Sequence, residues 1–500
     1  MLYDVNADIQ EYGEVIMLRN NVVYCSGIEE VMYGEVILLG DSRIKAYVSS
    51  LDEEVVKASA LSDYILIKLG DRVYRTKEVL HIPVGEKLLG RVVNALAEPL
   101  DELGPIESQV RYPVERKSPQ IVDRFNLDQP SPTGIKFVDI LCPIAKGQRE
   151  LILGERKTGK TEMALHMAIN RMKMGSKCVY VVIGKEMRLA REVVQAFKNH
   201  EVADKAVVVY AGSNHLPFLQ VLSAFSGCTI AEYFMDRGED TIVIYDDLSK
   251  HAVAHRQVSL SLRYPPGREA YPGDMFYLHA RLLERASCVN ASFVKKMSGI
   301  TSKGGSMTAI PILEIQYGDV SSYICTNVIS ITDGQLFLSQ DIFKSGCRPA
   351  LNVGMSVSRV GKAAQCKMIQ QLSADIKIVL SQFKELQSFA AFASELDATS
   401  KDIIDRGKKT MAILQQENFI FFDEVDTSIV LMLISFNSFK NIDIDKIDHY
   451  YEYVRSTLSQ EHPEMMKVLQ SKERIRDDNM EKLKEAIGWI SKEFKGIYNA

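Results

Sequence analysis

Short apolar runs, interrupted every few residues by Gly, Asp, Asn or Ser, make up the start of the chain. Glu14–Met17, Val22–Tyr24, Gly34–Leu39, Ile44–Tyr47 and Tyr64–Leu69 are rich in Val, Ile and Tyr. Side chains of that kind suit a pleated, half-buried surface, and close-set turn residues join short strands. Residues 1–75 are therefore predicted to form a small β-barrel or sandwich.

From 76 to 361 the pattern changes. The apolar runs Leu151–Leu153, Cys178–Ile183, Ala206–Tyr210 and Thr241–Tyr245 are each followed by a longer amphipathic stretch. Strands alternating with helices predict βαβ units and a mostly parallel sheet covered on both faces. Proline and glycine crowd 263–273 (RYPPGREAYPG), which predicts a rigid loop. After 362 strand signals vanish. Ala363–Phe392, Ser400–Gln416 and Asn479–Ile497 carry helical spacing, with breaks near Pro463 and around Asp445. A helical bundle over 362–500 is the expectation, making the whole a multi-domain α/β chain.

Composition adds limits. At 500 residues the chain is too long for one core. Its net charge of −5 gives no electrostatic footprint for nucleic acid. The eight cysteines stand singly, without the spacing of a zinc site or a disulfide framework, and predict buried small hydrophobes in a reducing compartment. No signal-peptide series and no apolar stretch of membrane-spanning length is read from the sequence. Membrane contact is expected only through partners.

One segment carries chemistry. Gly154-Glu155-Arg156-Lys157-Thr158-Gly159-Lys160-Thr161 matches G-x-x-x-x-G-K-[ST], preceded by the strand Leu151–Leu153 and followed by helix-compatible Glu162. Two glycines allow backbone N–H groups to turn inward around phosphates, and the helix start adds its positive dipole end. Gly154, Arg156, Lys157, Thr158, Gly159, Lys160, Thr161 and Glu162 are thus the candidate cradle for ATP or ADP. Lys160 is expected to reach the β- and γ-phosphates and the Thr161 hydroxyl to ligate magnesium. The bland alternative is a strand–turn–helix with chance glycines. The strand Thr241–Tyr245 ends in Asp246 and Asp247. Asp246 is the candidate for the second magnesium contact, while Asp247 suits either that role or a helix N-cap.

Longer blocks then point to a family. PIAKGQRELILGERKTGKT at 143–161, IYDDLSKHAVAHRQ at 244–257, PPGREAYPGDMFYLHARLLER at 265–285, YICTNVISITDGQLFLS at 323–339, RPALNVGMSVSRVGKAAQ at 348–365 and FAAFASELDATS at 389–400 resemble alpha subunits of the F-type rotary ATP synthase. The resemblance implies an N-terminal barrel, a RecA-like P-loop domain and a C-terminal helical domain. It also implies a heterohexamer in which this chain alternates with catalytic beta-type subunits around a gamma-type shaft, with a peripheral-stalk contact. A peripheral complex on the cytoplasmic side of a membrane follows, in bacterial cytoplasm or else an organelle matrix or stroma.

The same resemblance separates binding from turnover. Hydrolysis needs a group that orients water, and beta subunits carry a glutamate after the Val-Gly that ends the strand following the P-loop helix, where alpha subunits usually carry glutamine. Here Val181-Val182-Ile183-Gly184 is followed by Lys185 and Glu186. The lysine cannot serve as a carboxylate, and its charge is expected to attract a γ-phosphate. Glu186 is the remaining candidate base. Arg359, in Val357-Ser358-Arg359-Val360-Gly361, corresponds to an arginine finger acting in the neighbouring beta site, a role typically worth roughly 10³–10⁵ in rate. A structural salt bridge is the plainer alternative for this arginine. Phe343, Arg348 and Pro349 fall where the family packs the adenine, with Gln416-Glu417-Asn418 in place of the usual Gln-Gly-Gln. Phe343 is equally at home in a core. Lys157 also departs from the usual glutamine. The chain starts almost directly at the barrel, so the N-terminal helix that docks on the peripheral stalk is not expected.

Two other readings compete. An alpha-like subunit can power another motor or transport process. A hexameric RNA translocase of the termination-helicase type also follows a barrel with a related core, but it calls for basic and aromatic residues that 1–75, with Asp52, Glu53 and Glu54, does not supply. A scaffold that has lost nucleotide altogether is at odds with the intact Lys160, Thr161 and Asp246.

Overall fold

A computed structural model describes residues 12–62, 64–374, 376–390 and 398–498. The start of the chain, and with it the question of the N-terminal helix, lies outside the described residues, as does much of the block at 389–400. The chain divides into two discontinuous compact units. One comprises Met1–Asn126, Gly147–Arg156 and Arg171–Asp333, the other Leu127–Lys146, Lys157–Asn170 and Gly334–Ala500.

The first unit begins with a closed six-stranded barrel. Its strands run in the order Tyr12–Arg19, Val22–Ser26, Val56–Ala60, Ile44–Leu51, Glu35–Leu39 and Arg72–Val79, closing back on the first. All its pairings are antiparallel. Val15, Val23, Ile37, Leu39, Val48 and Val73 fill the interior. The Arg75 guanidinium is buried against the carboxylate of Glu35, which is also enclosed, so this buried charged pair is mutually neutralised. The expected strand Tyr64–Leu69 is not one. Tyr64–Leu66 forms a 3₁₀ turn that leaves Ile65, Leu66 and Leu69 exposed. The sixth strand is Arg72–Val79, in which Val73 and Arg75 are buried on the inward face while Arg72, Lys77, Glu78 and Val79 are exposed.

The same unit holds a parallel sheet in the order Leu151–Gly154, Ser306–Glu314, Asp240–Asp246, Lys177–Ile183, Ala206–Ala211 and Val92–Val93. Its central strands are buried on both faces, as their unbroken apolar runs require. Parallel register brings the C-terminal ends of these strands to one edge. Gly154 lies opposite Glu314, and Asp246 opposite Val182. That edge is where a parallel sheet offers its ligand crevice.

Pro217–Asp236 is the main covering helix. Contrary to expectation it is long and apolar enough to cross a bilayer, but 94% of the apolar window is buried inside the protein, which makes it a core helix. Its two acids are matched by arginines from elsewhere in the unit. Arg285, fully buried, donates to Glu232 at 2.6 and 2.8 Å, to Val114 O at 2.8 Å and to the Thr229 hydroxyl at 2.9 Å. Arg116 holds Asp236 at 2.8 Å. Burial alone would raise the Glu232 pKa, but Arg285 and then Arg116 bring it below the usual range. The Pro- and Gly-rich segment at 263–273 is a loop, as predicted, containing only the short turn Arg268–Ala270.

The second unit is mainly helical, with one antiparallel pair, Gly334–Leu338 against Val357–Ser358. Beyond 362 the described residues form Lys367–Leu372, Ile376–Ala390, Ala398–Leu414, Glu424–Ser435, Ile447–Glu461, Pro463–Gln470 and Asp477–Tyr498. Asp423 and Asp426 cap the start of Glu424–Ser435 reciprocally. The turn Ile444–Lys446 precedes one helix, and Pro463 opens the next at its first position, where a missing N–H costs nothing. The multi-domain α/β fold expected from the pattern is present.

Candidate functional site

The phosphate-loop sequence folds as its composition dictates. Leu151–Gly154 is a buried strand, and the helix Lys160–Lys173 begins at the last lysine of the motif. Between them Gly159 takes φ of 93°, a conformation that side chains rarely adopt. Lys157 also has positive φ, at 58°. Met163 N–H donates to Gly159 O at 2.9 Å, closing the first helical turn. Lys160 and Thr158 are buried, Thr161 is half-buried and Glu162 exposed.

In the second unit a cavity of about 430 Å³ opens against this loop. Lys157, Thr158, Gly159 and Glu162 form one side, and Phe343, Arg348, Pro349 and Gln416 another. Residues far apart in sequence, read separately as phosphate and base contacts, thus share one cavity. The Arg348 guanidinium stacks 3.5 Å from the Phe343 ring centre, while its Nη1 donates to Phe343 O and Cys347 O. Both side chains are thereby fixed, with the Phe343 ring facing the cavity.

Gln416 lines the cavity with its side-chain amide bonded to backbone. Its amide oxygen accepts from Lys136 N–H at 2.9 Å, and its nitrogen donates to Gly134 O at 2.7 Å and to Ile420 O. The amide is committed to backbone, so Gln416 braces the wall that also carries Glu417 and Asn418. His166, absent from the sequence reading, lines the cavity too. Its Nδ1 accepts from Phe419 N–H at 3.1 Å, which leaves the proton on Nε2 to donate to Gly134 O at 3.2 Å. Phe421 packs 4.5 Å from the His166 ring. A mid-helix histidine carries no local sequence signal of such a role.

Gly154, Arg156 and Asp246 belong to the first unit. Arg156 Nε donates to Glu314 Oε1 at 2.6 Å from an exposed position and is absent from the cavity lining. Asp246, with a fully buried side chain, ends the strand Asp240–Asp246. Tyr180 O–H donates to its Oδ2 at 2.9 Å, and the Lys185 ammonium contacts its Oδ1. Lys185 Nζ also lies 3.3 Å from Asp247 Oδ2. Asp247 settles as the N-cap of the helix Leu248–Ser261, accepting from Lys250 N–H at 2.8 Å. Burial alone would lower the Lys185 pKa, but Asp246 and Asp247 outweigh it and hold the pKa above the usual lysine range. Burial raises the Asp247 carboxyl, and Lys185 offsets only part of that.

The expected pull of Lys185 on a γ-phosphate therefore needs correction, because its charge is engaged by two carboxylates at the strand ends. Gly184 makes the arrangement feasible. At φ of 61° it turns the chain, and a Cβ there would meet Gln220 and Lys250 at 2.9 Å. Glu186 is exposed just before the helix Met187–Asn199. Arg359 is exposed as well, on a segment pinned by Ser358, whose hydroxyl donates to Pro143 O at 2.8 Å. Among the described residues no group of three or more His, Cys, Asp or Glu is arranged to hold a metal ion.

Comparisons with known proteins converge. The nucleotide-binding domain of the ATP synthase alpha/beta family matches residues 134–358, and the C-terminal domain of the ATP synthase alpha/beta chain matches residues 365–490. ATP synthase subunit alpha of Idiomarina loihiensis is 42% identical over 487 residues, covering 97% of this chain and 95% of its own. That of Shewanella piezotolerans is 44% identical over 469 residues, covering 93% and 91%. That of Psychrobacter cryohalolentis is 42% identical over 486 residues, covering 97% and 94%.

Proposed function

The chain belongs to the ATP synthase alpha/beta family as an alpha subunit, and on that premise we propose that it holds nucleotide without splitting it and lends Arg359 to a catalytic neighbour. As an alpha subunit it is part of a multi-subunit, proton-transporting ATP synthase, in the portion peripheral to the membrane. We place it in alternation with beta-type subunits around a gamma-type shaft, on the cytoplasmic side, with 1–75, 76–361 and 362–500 as its three domains.

In this reading the ligand is ATP or ADP. Backbone N–H groups of 154–161 and the Lys160 ammonium take the phosphates. Phe343, Arg348 and Pro349 take the base, with Gln416 and His166 keeping the wall of that cavity in shape. Thr161 remains a suitable hydroxyl donor for magnesium. Asp246 fits the ion poorly, since Tyr180 and Lys185 engage both of its oxygens. Arg359 supplies a fixed positive charge to a transferring phosphoryl group across the subunit boundary.

One observation carries the non-catalytic assignment. The position after Gly184 holds a lysine tied to Asp246 and Asp247, where water activation needs a carboxylate. The purified full-length chain is expected to bind ATP and not to turn it over. Isolation from the native source is expected to bring down a P-loop partner bearing the missing glutamate. Hydrolysis by the lone chain at the rate of the assembly overturns the assignment.

A further inference from the structure

The cavity beside the phosphate loop contains two polar side chains that its own walls do not use. Where Phe343 and Arg348 lie, most polar groups are already committed. Arg348 Nη1 donates to two backbone carbonyls, and its guanidinium stacks on the Phe343 ring. The Gln416 amide bonds Lys136, Gly134 and Ile420. Both ring nitrogens of His166 are engaged, by Phe419 N–H and Gly134 O. Pro349 and Ala350 offer no polar side chain. Glu417 and Asn418 line the same cavity from exposed positions, and among the described residues no hydrogen bond or ion pair engages either side chain. Gln416 N–H donates to Arg348 O at 2.9 Å, which ties the chain leading into Glu417 to the residues that pack the base.

The chemistry of this pair is selective. A carboxylate only accepts hydrogen bonds, while an amide both donates and accepts. Guanine sets its N1–H and its N2 amino group side by side, two donors that one carboxylate can take together. The neighbouring O6 can accept from the Asn418 amide. Adenine sets its N6 amino group beside a bare N1, so one carboxylate oxygen would face a lone pair. We propose that Glu417 reads the base and that this cavity takes GTP or GDP at least as tightly as ATP or ADP, an inference that rests on the nucleotide-binding reading above. A glutamine at 417 would present one donor and one acceptor, the complement of adenine's edge. Exchanging the carboxylate for an amide therefore turns the preference towards adenine.

The test is equilibrium titration of the full-length chain with ATP, GTP and ITP in one magnesium-containing buffer, repeated on Glu417→Gln. ITP keeps the N1–H of GTP and lacks the N2 amino group. The parent is expected to bind GTP at least as tightly as ATP, and ITP more weakly than GTP by about threefold or more. Glu417→Gln is expected to shift the ratio of the ATP and GTP dissociation constants in favour of ATP by about tenfold. Weaker binding of GTP than of ATP by the parent overturns the proposal without needing any variant to fold. So does ITP bound as tightly as GTP, or a ratio that the substitution moves by less than about fivefold. Equal weakening of ATP and GTP, the result of a carboxylate that meets the ribose, leaves that ratio unmoved and overturns it too. Failure of the parent to bind any of these nucleotides sinks the nucleotide-binding reading instead, a result distinct from all of these.

Discussion

Exchanging Gln416 for glutamate swaps one NH₂ for an oxygen at constant size, and the structure says what that does. The parent amide donates to Gly134 O at 2.7 Å and to Ile420 O while accepting from Lys136 N–H at 2.9 Å. A glutamate keeps the acceptor but turns its other oxygen on two carbonyls. Gly134 O retains the His166 Nε2–H donor, so it is not stranded, whereas Ile420 O loses this donor. Two lost hydrogen bonds at about 0.5–1.5 kcal/mol each, plus about 1–2 kcal/mol for an unsatisfied acceptor, give roughly 2–5 kcal/mol. For a unit of this size that lowers the melting temperature by roughly 4–20 °C. The new carboxyl is buried and faces carbonyls, so its pKa rises on folding. A raised folded-state pKa means the stability it contributes is present below the unfolded value of about 4.3 and lost as pH climbs through the folded one. Scanning calorimetry of Gln416→Glu is therefore expected to show a deficit at neutral pH that shrinks toward pH ~4, with ATP affinity weakened because Glu417 and Asn418 share the wall. A neutral-pH melting point within about 2 °C of the parent would refute the bracing role.

Arg285→Met leaves Glu232 buried beside only the more distant Arg116, 3.7 Å away, and is expected to cost about 3–5 kcal/mol in urea denaturation at neutral pH. Since folding depresses the Glu232 pKa, that deficit narrows as pH falls through the folded value; a deficit that does not narrow contradicts the pairing. Asp139, buried and accepting from Thr133 N–H, the Thr133 hydroxyl and Gly134 N–H, has its pKa raised by burial to about 7. Its share of stability is present below the unfolded value of about 3.9 and lost as pH rises through the folded one, so the parent's margin over Asp139→Asn shrinks across that window; a margin independent of pH contradicts this. Arg359→Ala is expected to slow hydrolysis by the assembled complex by roughly 10³-fold or more, with ATP binding by this chain intact. Turnover equal to the parent's would leave the arginine a structural residue.

What the pattern of residues could reveal was limited by what lies next to each element. The barrel was legible from Val- and Ile-rich runs, yet Val56–Ala60 (VKASA) and Arg72–Val79 (RVYRTKEV) escaped because small and charged residues dilute the signal. Tyr64–Leu66, by contrast, looked like a strand and is a turn with exposed side chains. Ser306–Glu314 was hidden by Pro311 in mid-strand, a residue that usually argues against a central position. The helix Pro217–Asp236 posed the opposite difficulty. Glu232 and Asp236 are local marks of solubility, but their partners Arg285 and Arg116 come from distant parts of the chain.

The candidate site divides along the same line. Gly154 to Thr161 is a contiguous motif, so its strand, turn and helix start were legible from residue type and order, whereas the pairing of Arg156 with Glu314 was not. The cavity wall was legible only through resemblance, and the bracing by Gln416 and His166 was not, because each bonds backbone from a distant segment. Lys185 is the sharpest case. From sequence it is a cation one step past a strand, with nothing to indicate what it faces. Lys177–Ile183 and Asp240–Asp246 are neighbours in the sheet although Ala206–Ala211 lies between them in the chain. Register sets Val182 opposite Asp246, so a lysine three residues on, after the Gly184 turn, meets the aspartates. A phosphate-facing lysine and a carboxylate-capping lysine have the same sequence, and only strand order tells them apart.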